Sequence, residues 1–143
     1  MYLLDTDHTG ILQGRTQPEF DRLWARMSAL PPEEFFTPIV SLHEQLLGWN
    51  TYMSRARDQE GVRRAYLMFE RILADFATAQ IPQYDEAAAR VFESLRANKV
   101  RVATMDLRIA AIAIAQNKTL LSRNLVDFRK VPELKVEDWC AAE

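Results

Sequence analysis

Residues 106–122 have the sequence DLRIAAIAIAQNKTLLS, and they contain two elements that constrain the fold strongly. Positions 109–115 are apolar throughout, which predicts a helix with almost no polar face. A helix of that kind is buried on all sides. Residues 119–122 form a second short run rich in apolar side chains, which predicts a buried strand soon after the helix. We therefore expect a helix and a strand that both lie in the interior.

Further strands and helices alternate on either side of this stretch. The other predicted strands cover residues 2–4, 35–40, 78–84 and 134–136. Helical spacing of apolar residues predicts helices from about residue 19 to 30, from 41 to about 57, after 61 and after 85. Alternating strands and helices favour an α/β fold with a mainly parallel sheet and helices on both faces. A length of 143 residues predicts a single domain over residues 1–143.

Local signals refine some of these boundaries. Ser41, with Glu44 three residues later, matches a capping box, which predicts a helix start at Ser41. That helix and the one after Gly61 together predict a long helical hairpin. Asp85 is predicted to cap the next helix. Prolines at positions 38 and 82 argue against two of the strands, because proline cannot donate to a sheet ladder.

The overall charge does not indicate a surface built for polyanions. The formal net charge is −2, so any nucleic-acid contact must come from a local basic patch. The single cysteine, Cys140, cannot form an internal disulfide, which favours a reducing compartment, the cytoplasm. We expect no signal peptide and no membrane contact, because no apolar stretch approaches the roughly 20 residues of a membrane span.

Four acidic residues fall at the ends of predicted strands or at the starts of predicted helices. They are Asp5, Glu44, Asp106 and Asp127. Ligands of open α/β sheets bind at the carboxyl ends of the strands, so we expect these carboxylates to converge. Packed carboxylates repel one another, and a hard cation such as Mg²⁺ offsets that repulsion. A metal held in this way favours hydrolysis of a phosphate ester.

Each of these acids also has a purely structural interpretation. Asp5 can cap a loop, and Glu44 can be only the capping-box partner of its serine. Asp106 can be an N-cap that the helix dipole favours. The set of four is harder to explain structurally than any one of them, and Asp106 stands at the mouth of the most apolar helix in the chain.

Neighbouring polar residues are candidates for supporting roles. Thr6 and Asp7 follow Asp5, and each can serve the site or form only a local turn or cap. Arg108 and Arg123 can hold phosphates of the substrate or form salt bridges with the acids. His8 is expected to contact phosphate or to lie in a loop. The arginines on the hairpin can form an RNA track, but a solvated helical face is favoured.

Four segments together resemble the PIN-domain ribonucleases, specifically toxins of VapC type. The segments are residues 3–8 (LLDTDH), 41–48 (SLHEQLLG), 106–111 (DLRIAA) and 121–128 (LSRNLVDF). Each segment alone is a weak signal, but the four occur in the family's order. The likeness spans essentially the whole chain, since the tail 131–139 (VPELKVEDW) also resembles the family's.

The resemblance implies a three-layer α/β/α sandwich that cleaves RNA with Mg²⁺ or Mn²⁺. It also implies a cognate antitoxin and a homodimer. By position, Asp5, Glu44 and Asp106 match the metal-binding acids of the family. Asn124 stands where many relatives have Asp or Asn, and Asp127 follows one helical turn later. We expect Asp127 to be the fourth carboxylate, with Asn124 as its polar neighbour.

Three other functions compete with a VapC-type toxin. A phosphatase of haloacid-dehalogenase type would use Asp5 as nucleophile and Asp7 as general acid, since the order D-x-D-x-T follows a predicted strand. That hypothesis does not explain Glu44. A degenerate PIN domain would only bind protein, yet the three metal-binding acids are present. An RNA-processing PIN nuclease would keep the chemistry without the toxin role.

Overall fold

Strands from the two ends of the chain meet in the centre of the sheet. The computed structural model describes residues 1–142, and its strands are β1 (Tyr2–Leu4), β2 (Phe35–Phe36), β3 (Thr119–Leu121) and β4 (Val136–Glu137). They form one sheet in the order β2-β1-β3-β4, and every neighbouring pair is parallel. Parallel neighbours require crossover connections, which the intervening helices provide.

Helices connect the strands and cover both faces of the sheet. They are α1 (Thr6–Gly14), α2 (Glu19–Met27), α3 (Ile39–Ser54), α4 (Gln59–Ala77), α5 (Glu86–Ala97), α6 (Thr104–Ala115) and α7 (Leu125–Phe128). Successive strand residues point to opposite faces, so Leu3 and Leu120 join one apolar cluster while Leu4 and Leu121 join another. The predicted α/β sandwich with a parallel central sheet is confirmed.

The apolar segment 109–115 forms most of α6, and it is buried as predicted. Residues 109–113 have no exposed surface at all. The helix packs against α5 in the cluster that holds Phe92 and Leu95. It begins at Thr104, so Asp106 lies within its first turn and not in front of it. A carboxylate in the first turn still faces the positive end of the helix dipole.

The strand predicted at 78–84 is absent from residues 1–142, and the prediction was wrong. This segment accepts hydrogen bonds from the residues that follow β2: Thr37 N donates to Gln80 O at 2.9 Å, and Ile39 N, at the start of α3, donates to Pro82 O at 3.4 Å. Pro82 has no N–H to return, so a ladder does not form. The side-chain amide of Gln80 instead donates to Glu33 O and Phe35 O.

The capping box predicted at Ser41 was also wrong. Helix α3 begins two residues earlier, at Ile39, with Pro38 as the N-cap residue. The predicted strand 35–40 is correspondingly reduced to two residues, because proline is readily accommodated where a helix starts. Ser41 is therefore a fully buried helical residue. Glu44 lies one turn further on, in the body of the helix.

The first helix was not predicted. Residues 6–14 carry a mixed, polar sequence without a clear apolar stripe, yet they form α1. Asp5 caps it, since its side chain accepts a hydrogen bond from the backbone N–H of His8. The hairpin of α3 and α4 and the capping of α5 by Asp85 are confirmed. None of the helices in residues 1–142 has the length and apolar character needed to cross a bilayer.

Candidate active site

A cavity of about 570 Å³ opens at the carboxyl ends of the central strands. Residues from β1, α1, α3, α6 and the segment after β3 line it. The polar residues at its wall are Asp5, Thr6, Asp7, Thr16, Glu44, Asp106, Arg123 and Asn124. Three of the four acids predicted to converge, Asp5, Glu44 and Asp106, therefore face one cavity. The location agrees with the general rule for ligands of parallel sheets.

Asp5 is the most buried of the three acids. Its backbone N–H donates to Leu121 O at 3.0 Å, which extends the pairing of β1 with β3 by one residue. Its carboxylate oxygen Oδ1 accepts from His8 N at 2.8 Å, and its residue surface is 5% exposed. The cap of α1 and the end of β1 together fix this carboxylate at the base of the cavity.

Glu44 reaches the cavity from α3 and is held by a threonine. The Thr6 hydroxyl donates to Glu44 Oε1 at 2.6 Å, and the same hydroxyl lies 3.0 Å from Ser41 Oγ. A charge-assisted hydrogen bond of this length orients the carboxylate. The burial of Ser41 is thus part of the site. The sequence did not indicate that Ser41 contributes to the site, because the capping-box pattern predicted that Ser41 caps the start of a helix.

Asp106 is a partly buried carboxylate surrounded by other acids. Burial, and next the repulsion of the Glu44 and Asp5 carboxylates, together raise its pKa to about 6. Asn124 acts in the opposite direction: its side-chain amide Nδ2 lies 3.4 Å from Asp106 Oδ2 as a donor. A carboxylate that is partly buried among other carboxylates resists ionisation, which makes this position a candidate for binding a cation.

Asp127 stands behind Asn124 and does not line the cavity. The Asn124 amide donates to Asp127 Oδ2 at 3.0 Å, and Lys130 Nζ lies 3.0 Å from Asp127 Oδ1. These two hydrogen bonds lower the pKa of Asp127. Asn124 therefore bridges Asp106 and Asp127, and of the two candidates for the fourth position it is the one at the cavity wall.

The two arginines predicted near the acids lie in different surroundings. Arg123 lines the cavity, is about half exposed, and makes only a loose pair with Glu19 at 3.8 Å. Arg108 points towards α5: its guanidinium lies 5.9 Å from the Phe92 ring centre and 3.6 Å from Met105 Sδ. Arg108 is not among the residues that line the cavity.

His8 is neither a phosphate contact nor a loop histidine, so that expectation was wrong. Its side chain is completely buried in α1. Its Nδ1 lies 3.5 Å from Asp5 Oδ1, and its Nε2 lies 3.5 Å from Cys140 Sγ. Asp7, one residue earlier, is exposed and lines the cavity.

Comparisons of the sequence and of the fold with known proteins find relatives of one kind. No family model matches the chain. It is 32% identical over 106 residues to a ribonuclease VapC of Rickettsia bellii, which covers 73% of this chain and 75% of that protein. The fold is similar to VapBC2 of Rickettsia felis bound to promoter DNA (TM-score 0.70, 19% identity, 96% and 98% coverage). It is also similar to DNA-bound VapBC of Salmonella typhimurium (TM-score 0.71, 19% identity, 97% and 98% coverage).

The parallel sheet and the carboxylates at its end define an α/β fold of PIN type. The sequence identity to the Rickettsia bellii protein, and the share of both chains that it covers, show which family within this fold the chain belongs to. The chain belongs to the VapC family of PIN-domain ribonucleases. This assignment does not favour the haloacid-dehalogenase-type phosphatase, the binding module or an RNA-processing nuclease.

Proposed function

We propose that this protein is the toxin of a type II toxin–antitoxin pair and that it hydrolyses RNA phosphodiester bonds at the acidic cavity. The observation that carries the proposal is the convergence of Asp5, Glu44 and Asp106 from three elements on one cavity. Desolvation and mutual repulsion raise the pKa of Asp106 to about 6, so the set is unfavourable without a cation. The relatives named ribonuclease VapC support the same chemistry.

The donor set fits a hard divalent cation. The three acids offer only carboxylate oxygens, and the nearest neutral groups are the Thr6 hydroxyl and the Asn124 amide. Mg²⁺ prefers oxygen ligands, is held by few carboxylates and keeps several waters, and Mn²⁺ accepts the same ligands. When bound, such an ion would supply an activated water and offset the charge of the transferring phosphoryl group.

The remaining residues of the cavity have distinct proposed roles. Thr6 orients Glu44 through the 2.6 Å hydrogen bond. Asn124 occupies the fourth position at the wall, with Asp127 behind it holding the amide in place at 3.0 Å. Arg123 and Asp7 stand at the open part of the cavity, where Arg123 can pair with an RNA phosphate because its contact with Glu19 is loose.

The partner proteins are proposed from the relatives and from exposed apolar residues. The VapBC structures of Rickettsia felis and Salmonella typhimurium support a cognate antitoxin for this chain. Tyr66 and Leu73 stand two turns apart on one face of α4 and are 57% and 71% exposed, which supports a protein contact such as a homodimer. We further propose that residues 1–143 form one domain and that the protein acts in the cytoplasm, where its RNA substrates are.

The direct test is RNA cleavage by the purified chain, free of any antitoxin, with Mg²⁺ or with EDTA. We expect cleavage only with the metal, and products with 5′-phosphate and 3′-hydroxyl ends. Asp5→Asn should lower the rate at least about 100-fold, since even outer-shell partners of metal ligands are worth 10- to 100-fold. Glu86→Gln is the matched control, because Glu86 is an exposed acid on α5 that pairs with Arg90.

Equal cleavage by wild type and Asp5→Asn would contradict the assignment of the cavity. Cleavage that persists in EDTA would contradict the metal. A folded wild-type protein that cuts no cellular RNA would contradict the ribonuclease itself, and circular dichroism of each variant shows whether the fold is intact.

A further inference from the structure

A second group of metal-ligand side chains lies beside the acidic cavity, with His8 Nδ1 3.5 Å from Asp5 Oδ1. In residues 1–142, His8, Asp138 and Cys140 are the one set of three such side chains whose ligand atoms all lie within 4.8 Å of one another. His8 Nε2 is 3.5 Å from Cys140 Sγ and 3.9 Å from Asp138 Oδ1. The nuclease proposed above uses none of these three side chains as a ligand.

The spacing matches a tetrahedral zinc ion. Zinc bonds of about 2.0 Å to nitrogen and 2.3 Å to sulfur place those two atoms about 3.5 Å apart at the tetrahedral angle. The observed distance between His8 Nε2 and Cys140 Sγ is the same. Two ligand atoms that each lie 2.0 Å from zinc are separated by about 3.3 Å at the tetrahedral angle. His8 Nε2 and Asp138 Oδ1 are 3.9 Å apart, so Asp138 has to move by roughly half an ångström to bind the zinc. Its side chain is 15% exposed, so the group borders solvent, and three protein ligands leave the fourth position of a tetrahedral zinc for water.

The other nitrogen of His8 provides independent support. His8 Nδ1 is the one buried side-chain nitrogen or oxygen in residues 1–142 that has no hydrogen-bond partner. It faces Asp5 Oδ1 at 3.5 Å. A histidine that binds metal through Nε2 carries its proton on Nδ1 and directs it at a carboxylate or carbonyl. Ligation at Nε2 would place the proton on Nδ1 and direct it towards Asp5 Oδ1, the carboxylate oxygen that Nδ1 faces.

We propose that His8, Asp138 and Cys140 form a zinc site that ties the segment after β4 to α1, beside the nuclease cavity. The thiol loses its proton to solvent when the Zn–S bond forms. Burial, and next the carboxylate of Asp138, raise the pKa of the Cys140 thiol to about 12, so this proton is still present before the metal binds. The donors are nitrogen, sulfur and one oxygen, which suits zinc and does not suit Mg²⁺.

Cobalt(II) is the probe, because it occupies zinc sites and gives thiolate-to-cobalt absorption in the near ultraviolet. The chain has a single cysteine, so this absorption reports only Cys140. We expect it to saturate at one cobalt per chain and to disappear when zinc is added. Cys140→Ser should abolish it. Asp138→Asn should weaken cobalt binding at least about tenfold, while its amide oxygen can still accept from Cys140 N.

Asp106→Asn is the control, since it removes a carboxylate of the acidic cavity and should leave the absorption unchanged. No thiolate absorption at millimolar cobalt in the folded wild type would overturn the proposal, and the contact between His8 and Cys140 would then be an S–H···N hydrogen bond of the core. Equal absorption by the Asp138 variant would overturn the ligand set. Neither result depends on RNA cleavage, so the site can fail while the nuclease stands.

Discussion

The acidic cavity and the α3–α4 hairpin both concentrate charge, but they hold it in different environments. In the cavity, carboxylates from three elements face one another with partial burial, and the pKa of Asp106 rises to about 6. On the hairpin, charges of both signs are exposed, as in the pair of Arg63 and Glu60 at 2.6 Å. The hydrogen bond and charge of Arg63 lower the pKa of Glu60, in the direction opposite to the shift of Asp106.

The difference shows why charge density alone is a weak guide to function. Solvent screens the charges on the hairpin, and a neighbour of opposite sign offsets them at little cost. The carboxylates in the cavity instead accept hydrogen bonds from neutral donors, which are the backbone N–H of His8, the hydroxyl of Thr6 and the amide of Asn124. The repulsion between like charges that the fold holds together is offset when a ligand of opposite charge binds. Variants in the cavity should therefore have large effects, and matched variants on the hairpin should have small ones.

The largest contrast is expected between Glu44→Gln and Glu60→Gln, two neutral replacements of glutamates on neighbouring helices. We expect Glu44→Gln to lower RNA cleavage at least about 100-fold, because it removes a proposed metal ligand. Glu60→Gln should change the rate less than about twofold, since its carboxylate contacts only an exposed arginine. Single-turnover cleavage rates measure both, and similar losses in the two variants would remove the distinction.

The hydroxyl that orients Glu44 should have the next largest effect. Thr6→Val keeps the shape of the side chain and removes the 2.6 Å hydrogen bond, so we expect a loss of about tenfold in cleavage. Thr51→Val is the counterpart on the hairpin, because the Thr51 hydroxyl donates only to Leu47 O in its own helix. Its rate should match wild type. An unaffected Thr6 variant would show that Glu44 needs no orienting partner.

The fourth position of the cavity can be resolved by a pair of adjacent variants. Asn124→Ala removes the amide that bridges Asp106 and Asp127, and we expect a loss of about tenfold. Asp127→Asn should cost only a few-fold, because Asp127 acts through Asn124 and lies outside the cavity wall. The reverse order of the two losses would return the fourth position to Asp127, as the sequence alone suggests.

The smallest effect concerns stability and its dependence on pH. The folded pKa of Asp106, about 6, exceeds its ordinary value of 3.8, so the folded state binds more protons between these values. Stability contributed by this group therefore falls as pH rises through that range. We expect Asp106→Asn to raise the free energy of unfolding by about 1 kcal/mol at pH 7 without metal, and by nothing below pH 3.8. Urea unfolding at both pH values measures it, and Glu60→Gln should show no such gain.

The sequence predicts the layers of this fold better than its edges. The apolar segment 109–115 and the short apolar strands determine the parallel sheet, because burial of those side chains leaves few arrangements. The predicted boundaries of strands and helices were wrong where prolines occur. Pro38 starts a helix two residues before the predicted serine cap, and Pro82 keeps residues 78–84 out of the sheet. Pro38 marks the start of a helix, which shortens the predicted strand before it. Pro82 has no N–H to donate, which prevents the predicted strand from joining the sheet.

The acids of the site were predictable, but their supporting contacts were not. Asp5 follows a strand and Asp106 lies in the first turn of a helix, while Glu44 lies in the second turn of α3, and the topology brings all three to one cavity. The contact of Thr6 with Ser41 and the burial of His8 depend on how α1 packs on α3 and on the segment after β4. No local sequence pattern encodes packing between elements more than 30 residues apart.

Manganese binding tests the central claim most directly, because Mn²⁺ takes the oxygen ligands of Mg²⁺ and its free concentration is measured by electron paramagnetic resonance. The titration compares wild type with Asp106→Asn and, as the hairpin control, Glu60→Gln. If the cavity carboxylates hold the metal, wild type and Glu60→Gln bind Mn²⁺ equally and Asp106→Asn binds it at least about tenfold more weakly. Equal binding by all three proteins would contradict the assignment of the acidic cavity as the metal site.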